Sequence, residues 1–354
     1  MAGGKVYGMA HSFYDLTTNA ILSAVDDSGF QTTGHCLALN SLENRVYDLK
    51  LEDGSHIIAK FYRPDRWNKE QIEEEHSFLF ELQSEEIPVC APLRFPEGNS
   101  LKQWDGIHFA LWPRTGGRMP DEFSDEELRQ LGRLIARIHN IGARVPAKDR
   151  PTMNEDSYGR APLQFLLENE FLPDHIRPGY EKAVKEICEI YTQLSQGIDT
   201  IRIHGDAHGG NLLRGPEGWF FLDFDDFVNG PPVQDIWLLA GQQGLEGMRN
   251  RAILLEGYRQ FRQFPDSWLN LVEPLRALRF IHYSAWIARR IADPAFPAAF
   301  PHFGSDDYWE NELNDLTEQL RIIREGDFSG SGQEEITEQE AELTNKDFFW
   351  DWED

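Results

Sequence analysis

The residues with the clearest chemical potential lie in one short stretch, 203–213, which reads Ile-His-Gly-Asp-Ala-His-Gly-Gly-Asn-Leu-Leu. It has the form H-x-D-x4-N between apolar residues, with His204, Asp206 and Asn211 at the defining positions. This spacing predicts a loop that presents the Asp206 carboxylate to an acceptor hydroxyl while Asn211 turns back toward a metal ion. His204 is expected to hold the loop by hydrogen bonds. A zinc cluster of His204, His208 and Asp206 is disfavoured because no third imidazole follows.

A second motif follows shortly after, at 220–226, where Phe-Phe-Leu-Asp-Phe-Asp-Asp predicts a short apolar strand ending in three carboxylates. The end of a strand can aim a carboxylate such as Asp223 at Mg²⁺, which prefers oxygen ligands together with substrate phosphates. Asp225 and Asp226 are expected to be solvated acids. Phosphoryl transfer needs positioning and charge neutralisation more than covalent chemistry, so the two motifs together indicate a phosphotransferase.

The first ~110 residues have the pattern of short strands with helices among them. Strands are predicted at 36–40, 46–50, 56–62 and 108–112, and an extended segment at 88–92. Asp53-Gly54 between the second and third strands is typical of a hairpin turn. Helices are predicted at 16–25, with a start at Thr17 or Thr18, and at 68–82.

Residues 115–118 predict a loop that we interpret as an inter-lobe hinge, and the chain after it is mostly helical in pattern. Ser124 and Glu127 predict a capping box for a helix whose apolar stripe ends at Gly142. Further helices are predicted at 181–194, 234–239, 253–261 and 274–291. A Ser-Gly linker at 329–332 leads into an acidic tail that we expect to be flexible.

The two motifs resemble the catalytic loop and metal-binding strand of the aminoglycoside phosphotransferase/choline kinase branch of the protein-kinase-like fold. Further stretches closely resemble the bacterial stress response kinase A family, and the likeness runs from about residue 15 to 325. These stretches are 40–47, 60–67, the Glu74-Glu75-His76 segment, 285–290 and 292–297. Members are regarded as serine/threonine protein kinases of envelope and oxidative stress responses, so the resemblance implies that activity here.

The resemblance assigns roles to the residues of both motifs. It implies that Asp206 is the catalytic base, that Asn211 is a magnesium ligand, and that Asp223 is the principal magnesium ligand with a catalytic role. The glycine of the wider kinase pattern is absent after Asp223-Phe224, where Asp225 stands instead. Whether Asp225 also touches metal is left open.

The resemblance also implies a nucleotide site in the first part of the chain. Ser41 matches a serine in the first β-turn that lies over the ATP phosphates, where a hydroxyl and loop amides can donate without a glycine-rich loop. Lys60 matches the strand lysine that neutralises the α- and β-phosphates. Glu75 matches its helical ion-pair partner, with Glu74 as the rival. Backbone groups near Leu111 and Trp112 match those that meet adenine.

Each of these features has a plainer interpretation by itself. A lone lysine such as Lys60 in a strand is usually a surface residue, and Ser41 in a turn usually only shapes the turn. Asp235, after Gly230-Pro-Pro232, could be a helix N-cap, whereas family likeness suggests that it braces the catalytic loop. The prediction rests on the joint order of all these residues, from Ser41 to Asp223.

Composition limits the possible partners and location. The chain has 354 residues and a formal net charge of −26, from 60 acids against 34 bases, so nucleic acid is not expected as a partner. Three widely spaced cysteines form no CxxC pair, which favours a reduced compartment. With neither an N-terminal apolar signal region nor a stretch of ~18 apolar residues, we expect a cytoplasmic protein without membrane insertion.

We therefore predict an α+β, bilobal protein-kinase-like fold. Its expected parts are a small antiparallel-sheet lobe at 1–113, a larger helical lobe at 114–328 and the tail at 329–354, with ATP between the lobes. The expected reaction is transfer of the γ-phosphoryl group of Mg-ATP to a serine or threonine hydroxyl of a protein substrate. The alternatives are a small-molecule kinase and a non-catalytic nucleotide-binding regulator. A monomer is favoured.

Overall fold

The structure is a computed structural model that describes residues 13–119, 122–216, 218–241 and 244–326. The linker and flexible tail predicted from residue 329 onward lie outside the described residues. The strands are β1 (Thr32–Leu39), β2 (Arg45–Leu51), β3 (His56–Phe61), β4 (Lys102–Trp104), β5 (Ile107–Pro113), β6 (Ile201–Ile203), β7 (Leu212–Gly215), β8 (Gly218–Phe221) and β9 (Val228–Gly230). The helices are α1 (Thr18–Asp26), α2 (Lys69–Ser84), α3 (Asp125–Gly142), α4 (Ala161–Glu168), α5 (Arg177–Leu194), α6 (Val233–Ala240), α7 (Gly244–Tyr258), α8 (Val272–Arg290), α9 (Ala295–Ala299) and α10 (Asp306–Glu325).

The chain divides into two compact units. The first comprises the described residues up to Arg118 together with Lys148–Arg150 and Leu213–Asp225. The second comprises Met119–Ala147, Pro151–Leu212 and the described residues from Asp226 onward. The predicted boundaries at 113/114 and 328/329 stay predictions, but two short segments that are distant in sequence belong to the first unit. One of them carries the Asp223 motif.

An antiparallel sheet with the strand order β1-β2-β3-β5-β4 is the framework of the first unit. Lys60 lies on β3, opposite Val46 of β2 and Ala110 of β5, so strands on both sides fix its backbone. Leu49, Phe61 and Phe109 are fully buried in the core of this unit. The rigid centre of the sheet therefore positions the lysine.

Local sequence signals explain the ends of several elements in the first unit. Asp53 closes the β2–β3 turn by accepting hydrogen bonds from the amide and the hydroxyl of Ser55. The side chain of Thr17 caps α1 by accepting from the amide of Ala20. Asn68 and Gln71 form a reciprocal capping box at the start of α2. The predicted helices and hairpin are present with shifts of a few residues.

One segment predicted as extended contributes less to the sheet than a strand would, and one short strand was not predicted. The segment 88–92 is extended, but it contributes only an isolated bridge between Val89 and Phe221 rather than a strand of the main sheet. The short strand β4 was not predicted, because Lys102-Gln-Trp104 is too short and polar for a clear alternating pattern.

The second unit is mainly helical. The predicted capping box of Ser124 and Glu127 starts α3, and the helix ends at Gly142 as expected. A Cβ atom on Gly132 of α3 would lie 2.0 Å from the carbonyl oxygen of Leu254 on α7, and one on Gly257 would lie 2.1 Å from that of Arg129. Glycine at these two positions therefore permits close contact between the backbones of α3 and α7.

Several helices of the second unit depart from their predicted bounds. The helix predicted at 253–261 is α7, which starts at Gly244 and ends at Tyr258. The helix predicted at 181–194 begins one turn earlier, at Arg177. Helices α4, α9 and α10 were not predicted. Together with the antiparallel sheet, these helices confirm the predicted α+β class.

No helix in the described part of the chain is both long and apolar enough to cross a membrane.

Candidate active site

The H-x-D-x4-N segment forms a tight loop between β6 and β7. Gly205 has φ +84°, and a Cβ atom there would lie 2.3 Å from the carbonyl oxygen of Asp226, so only glycine fits. The amide Nδ2 of Asn211 donates to the Asp206 carbonyl oxygen at 2.9 Å and lies 3.3 Å from its carboxylate. The expected reversal of the chain between Asp206 and Asn211 is thus present.

Asp235 holds this loop from within α6. Its Oδ1 accepts from the amide of Gly205 at 2.9 Å, and its Oδ2 accepts from the amide of His204 at 2.9 Å. The Nε2 of His139 lies 3.0 Å from the same Oδ2, and His139 Nδ1 lies 2.9 Å from the Tyr258 hydroxyl. Burial lowers the pKa of His139, so the neutral ring donates to Asp235 and accepts from Tyr258. Asp235 therefore braces the loop. It is not the N-cap of α6, because Pro232 occupies that position.

His204 itself is fully buried, and its Nδ1 accepts from the amide of Asp206 at 3.3 Å. Gln234 Nε2 donates to the Gly205 carbonyl oxygen at 3.1 Å. These contacts agree with the prediction that His204 holds the loop by hydrogen bonds. The backbone from His204 to Asp206 is thus held by hydrogen bonds to the side chains of His204, Gln234 and Asp235.

The Asp206 carboxylate, whose side chain is 20% exposed, has a cationic neighbour. Arg279 of α8 donates from Nη2 to its Oδ1 at 2.7 Å. His208 accepts from the amide of Gly210 at Nδ1, so its Nε2 carries the proton and lies 3.4 Å from Asp206 Oδ2. Burial alone would raise the pKa of Asp206, but Arg279 and His208 hold it well below the ordinary value. The carboxylate is therefore ionised at neutral pH.

In the first unit, Lys60 of β3 lies between two carboxylates. Its Nζ donates to Asp223 Oδ1 at 2.9 Å and lies 3.0 Å from Asp225 Oδ1. Burial alone would lower the pKa of Lys60, but the two aspartates outweigh this effect and raise it. Asp223 has φ +48°, an unusual backbone conformation for a residue other than glycine, and its side chain is 53% exposed. Lys60 is thus charged, and Asp223 stays accessible to a ligand.

Asp225 is not a solvated acid as expected, because it is buried with only 3% exposure. Its Oδ2 accepts from Arg66 Nη1 and from Asn44 Nδ2, the latter at 3.3 Å. Burial would raise the pKa of Asp225, but Arg66 and Lys60 lower it. Asp226 is half-buried rather than solvated. Asp225 therefore connects Lys60 to Arg66 within the first unit.

Neither of the two candidate glutamates of α2 pairs directly with Lys60, the partner that the resemblance implied. Glu75 Oε2 accepts from Arg150 Nη2 at 2.9 Å, whereas among the described residues Lys60 forms its ion pairs with Asp223 and Asp225. Burial raises the pKa of Glu75 to about 7, although the charge of Lys60 opposes the shift. The expected direct Lys60–Glu75 ion pair is thus replaced by a pair with Arg150.

Glu74, the rival, has a structural role in this arrangement. Its carboxylate accepts from the backbone amides of Lys148, Asp149 and Arg150 at 2.5–2.8 Å. Glu74 therefore holds the backbone of the segment 148–150, whose Arg150 side chain binds Glu75.

The remaining residues expected around the nucleotide lie in the first unit. Ser41 is half-buried in the connection between β1 and β2. Leu111 lies on β5 with a fully buried side chain, and its carbonyl oxygen accepts from the amide of Leu93. The half-buried ring of Trp112 has its centroid 5.7 Å from Lys60 Nζ. The structure thus places Trp112 beside Lys60.

The residues predicted to bind magnesium have suitable donor atoms. Asp223 offers an accessible carboxylate, and Asn211 donates through Nδ2 to Asp206, which leaves its amide oxygen as the atom for a ligand. Carboxylate and amide oxygens are the hard donors that Mg²⁺ prefers. Each of these side chains, within its own unit, therefore offers a donor atom of the kind that a magnesium ion prefers.

Sequence reasoning missed three charged residues that pair with the candidate carboxylates, Arg66 and Arg150 in the first unit and Arg279 in the second. Each binds a carboxylate that lies far away in the sequence, namely Asp225, Glu75 and Asp206. For Arg279 a signal was available, because an arginine that interrupts the apolar pattern of α8 requires a partner. Nothing in the local sequence distinguishes Arg66 or Arg150 from surface residues.

Comparison with known proteins identifies one matching family and several relatives of similar length. A family model described as "Phosphotransferase enzyme family" matches residues 35–269. "Stress response kinase A" of Salmonella choleraesuis is 36% identical over 317 residues, covering 89% of this chain and 96% of the relative. "Serine/threonine protein kinase RdoA" of Salmonella typhimurium matches with the same identity and coverage.

Among solved structures, this chain is similar to the amicoumacin kinase hAmiN in complex with AMP-PNP, Ca²⁺ and Ami. The TM-score is 0.71 at 19% identity, with 90% of this chain and 96% of that chain covered. At this identity the likeness shows the fold alone, and it confirms the predicted protein-kinase-like fold. The chain is a kinase that belongs to the phosphotransferase enzyme family and, within it, to the bacterial stress response kinase A family.

Proposed function

We propose that this kinase transfers the γ-phosphoryl group of Mg-ATP to a serine or threonine hydroxyl of a protein substrate. In this reaction the bond between the γ-phosphorus and the β–γ bridging oxygen breaks, and a bond from phosphorus to the acceptor oxygen forms. ADP leaves, and the hydroxyl proton passes to Asp206. The cytoplasmic location expected from the sequence is part of the same proposal.

The observation that carries this proposal is that the carboxylate of Asp206 is both ionised and held in position. The loop before it is held by Asp235, and Arg279 keeps its carboxylate ionised. An ionised and positioned carboxylate can accept a hydrogen bond from a hydroxyl, orient it and take its proton as the new bond forms. Orientation is the larger part of this role, because a carboxylate of low pKa is a weak base.

The first unit supports a role in holding the nucleotide. We propose that Lys60 neutralises phosphate oxygens and that Ser41 donates to them from the β1–β2 connection. Backbone groups near Leu111 and the ring of Trp112 would contact adenine. Asp223 and Asn211 would hold Mg²⁺, which neutralises charge on the transferred phosphoryl group when it is bound.

Two observations support a protein acceptor over a small cationic one. The similar RdoA protein is named a serine/threonine protein kinase. In addition, the guanidinium of Arg279 lies 2.7 Å from the catalytic carboxylate, and a cationic acceptor would be repelled by it. A neutral hydroxyl on a peptide has no such conflict.

Incubation with γ-labelled ATP and Mg²⁺ tests the proposal. The acceptors are a mixture of casein-like proteins and, separately, a panel of amino alcohols, sugars and aminoglycosides. We expect label on serine or threonine of protein, and its loss in Asp206→Asn. Label found only on small molecules would refute the protein substrate, and no labelled product with any acceptor would refute the choice of Mg-ATP as donor.

A further inference from the structure

An arginine without a counter-charge is buried among the helices of the second unit. Arg251 of α7 is only 7% exposed, and within the described part of the chain its guanidinium forms neither a hydrogen bond nor an ion pair. Burial lowers the pKa of Arg251, Glu273 opposes this shift, and Arg276 adds to it. Because arginine keeps its proton in proteins, this guanidinium is a buried cation, and buried cations require a partner.

The nearby Arg276 of α8 has an unused hydrogen-bond donor. It is 2% exposed, and its Nε donates to Glu273 Oε2 at 3.0 Å. Its Nη2 is buried and has no hydrogen-bond partner among the residues that the structure describes. Buried donors in proteins are nearly always hydrogen-bonded, so Arg276 is only partly satisfied by its carboxylate.

One carboxylate serves both guanidinium groups. Glu273 Oε2 accepts from Arg276 and, at 2.7 Å, from Gln319 Nε2 of α10. Glu273 and Arg276 are the charged groups that act on Arg251, so two cations against one anion leave this cluster with a net charge of +1. Arg251 and Glu273, at 7% and 8% exposure, are not sealed from solvent. The cluster therefore lacks a negative charge that a small ion could supply.

We propose that Arg251, with the added charge of Arg276, binds a small oxyanion in the second unit. A guanidinium presents its N–H groups in a planar fork that matches two oxygen atoms of a phosphate, a sulfate or a carboxylate. The anion supplies the missing counter-charge of the cluster. This site is separate from the proposed phosphoryl transfer, since neither arginine is assigned above to ATP, magnesium or the acceptor.

A series of side-chain contacts within the second unit joins this cluster to the catalytic loop. The Arg276 guanidinium lies 4.6 Å from the centroid of the Trp237 ring. Trp237 Nε1 donates to Gln234 Oε1 at 3.0 Å, and Gln234 Nε2 donates to the Gly205 carbonyl oxygen at 3.1 Å. A bound anion that restrains Arg276 also restrains these contacts. Residues 203–213 should therefore open less often when the site is occupied.

Calorimetric titration of sulfate into the full-length protein tests the site, with sodium chloride keeping the ionic strength constant. We expect one sulfate per chain, with equal affinity in the wild type and in Lys60→Ala, which lacks the lysine proposed to bind phosphates. Hydrogen–deuterium exchange of residues 203–213 should slow about five-fold or more at saturating sulfate. Separate titrations with phosphate and with acetate distinguish a tetrahedral oxyanion from a carboxylate as the preferred ligand.

Two substitutions should change the sulfate affinity in opposite directions. Arg251→Gln removes the unpaired cation, so the affinity should fall about ten-fold or more, as expected for the loss of a hydrogen bond to a charged group. Glu273→Gln removes the competing carboxylate but keeps an acceptor for Arg276, so the affinity should rise about five-fold or more. Arg249→Gln is the matched control on the same helix, because Arg249 is exposed and pairs with Asp125 at 2.7 Å.

The outcomes separate this site from the nucleotide site. Absence of sulfate binding overturns the inference, and so does binding that is lost in Lys60→Ala but kept in Arg251→Gln. Binding that Arg251→Gln and Arg249→Gln leave equal shows an adventitious ion only and also overturns it. If Arg251→Gln does not fold, an unchanged or weaker affinity in Glu273→Gln contradicts the inference. Unchanged exchange of 203–213 at saturation refutes the connection to the loop. None of these measurements uses ATP or an acceptor, so the proposed function is tested separately.

Discussion

Replacement of Asp235 by asparagine tests the brace on the catalytic loop. Asp235 Oδ1 accepts from the Gly205 amide, and Oδ2 accepts from the His204 amide and from His139. Asparagine has the same shape but only one acceptor oxygen. Whichever way the new amide is oriented, its NH₂ group faces the backbone N–H of either Gly205 or His204, which then lacks an acceptor. His139 can change tautomer and accept a hydrogen bond from the NH₂ group, but a backbone N–H cannot. A buried donor left without an acceptor costs about 1–3 kcal/mol.

This cost should appear in the loop itself. At about 1.4 kcal/mol per factor of ten, local opening of residues 203–213 becomes about 5- to 150-fold more frequent. Hydrogen–deuterium exchange followed by mass spectrometry reports this on the peptide that contains the loop. We also expect kcat for phosphoryl transfer to fall, because Asp206 is held less precisely, while the affinity for Mg-ADP changes little.

The same variant distinguishes a brace from a helix cap. Asparagine caps a helix as well as aspartate does, so a capping role predicts that Asp235→Asn is neutral. Asp199→Asn is the control, since Asp199 is a surface acid whose ion pair with Arg262 is 3.3 Å long. Unchanged exchange of 203–213 together with an unchanged kcat would refute the bracing role of Asp235.

Three further variants test the electrostatics of the site. Lys60→Ala should raise the KM for ATP and lower kcat, since it removes the charge proposed to face phosphates before and during transfer; an unchanged KM removes Lys60 from the phosphate site. Arg279→Gln should raise the pKa of Asp206, so the acidic limb of the kcat–pH profile moves to higher pH. The control Arg289→Gln, on the same helix but over the ring of Phe165, should not move it, and equal profiles for both variants would contradict the role of Arg279. Native Glu75, with a pKa of about 7 against an ordinary 4.5, keeps a proton that the unfolded chain releases, so stability to urea falls as pH rises from about 4.5 to 7. Glu75→Gln should flatten this dependence, and an unchanged slope would show that another group causes it.

Features fixed by neighbouring residues could be predicted from the sequence. The capping box of Ser124 and Glu127 needs only residues three apart, and it starts α3 as expected. The return of Asn211 to Asp206 is also local, since a tight turn of five residues allows little else. The order of these motifs along the sequence was sufficient to predict both the family and the fold.

Features that depend on distant residues could not be predicted. Arg279 pairs with Asp206 from 73 residues further along the chain, and Arg150 pairs with Glu75 across 75 residues. Asp225 is one of three acids in the segment 223–226, and the local sequence does not distinguish it from a surface acid. Its burial depends on ion pairs with Lys60 and Arg66, which lie much earlier in the sequence. Charge pairing of this kind follows from tertiary structure rather than from local pattern.

One missed helix did have a readable signal. In α10, Ser305 caps the start, and Trp309, Leu316 and Leu320 are buried along one face. Acidic residues surround these positions, so the apolar stripe is narrow and the segment resembles a solvated linker. A narrow stripe is sufficient here because packing against other helices, not intrinsic propensity, stabilises most helices in proteins.

The central claim is that Asp206 performs the transfer step while Asp223 serves the metal–nucleotide complex. Asp206→Asn keeps the size and polarity of the side chain but removes the proton acceptor. Asp223→Asn is the comparison, and it should weaken Mg²⁺-dependent nucleotide binding as well as transfer.

The most direct measurement is therefore single-turnover phosphoryl transfer by Asp206→Asn, together with its affinity for ADP with and without Mg²⁺. The account predicts that transfer slows by about 10²–10⁴-fold while Mg²⁺-dependent binding of ADP stays at the wild-type value. Near wild-type transfer by this variant, or loss of Mg²⁺-dependent binding in Asp206→Asn but not in Asp223→Asn, would contradict it.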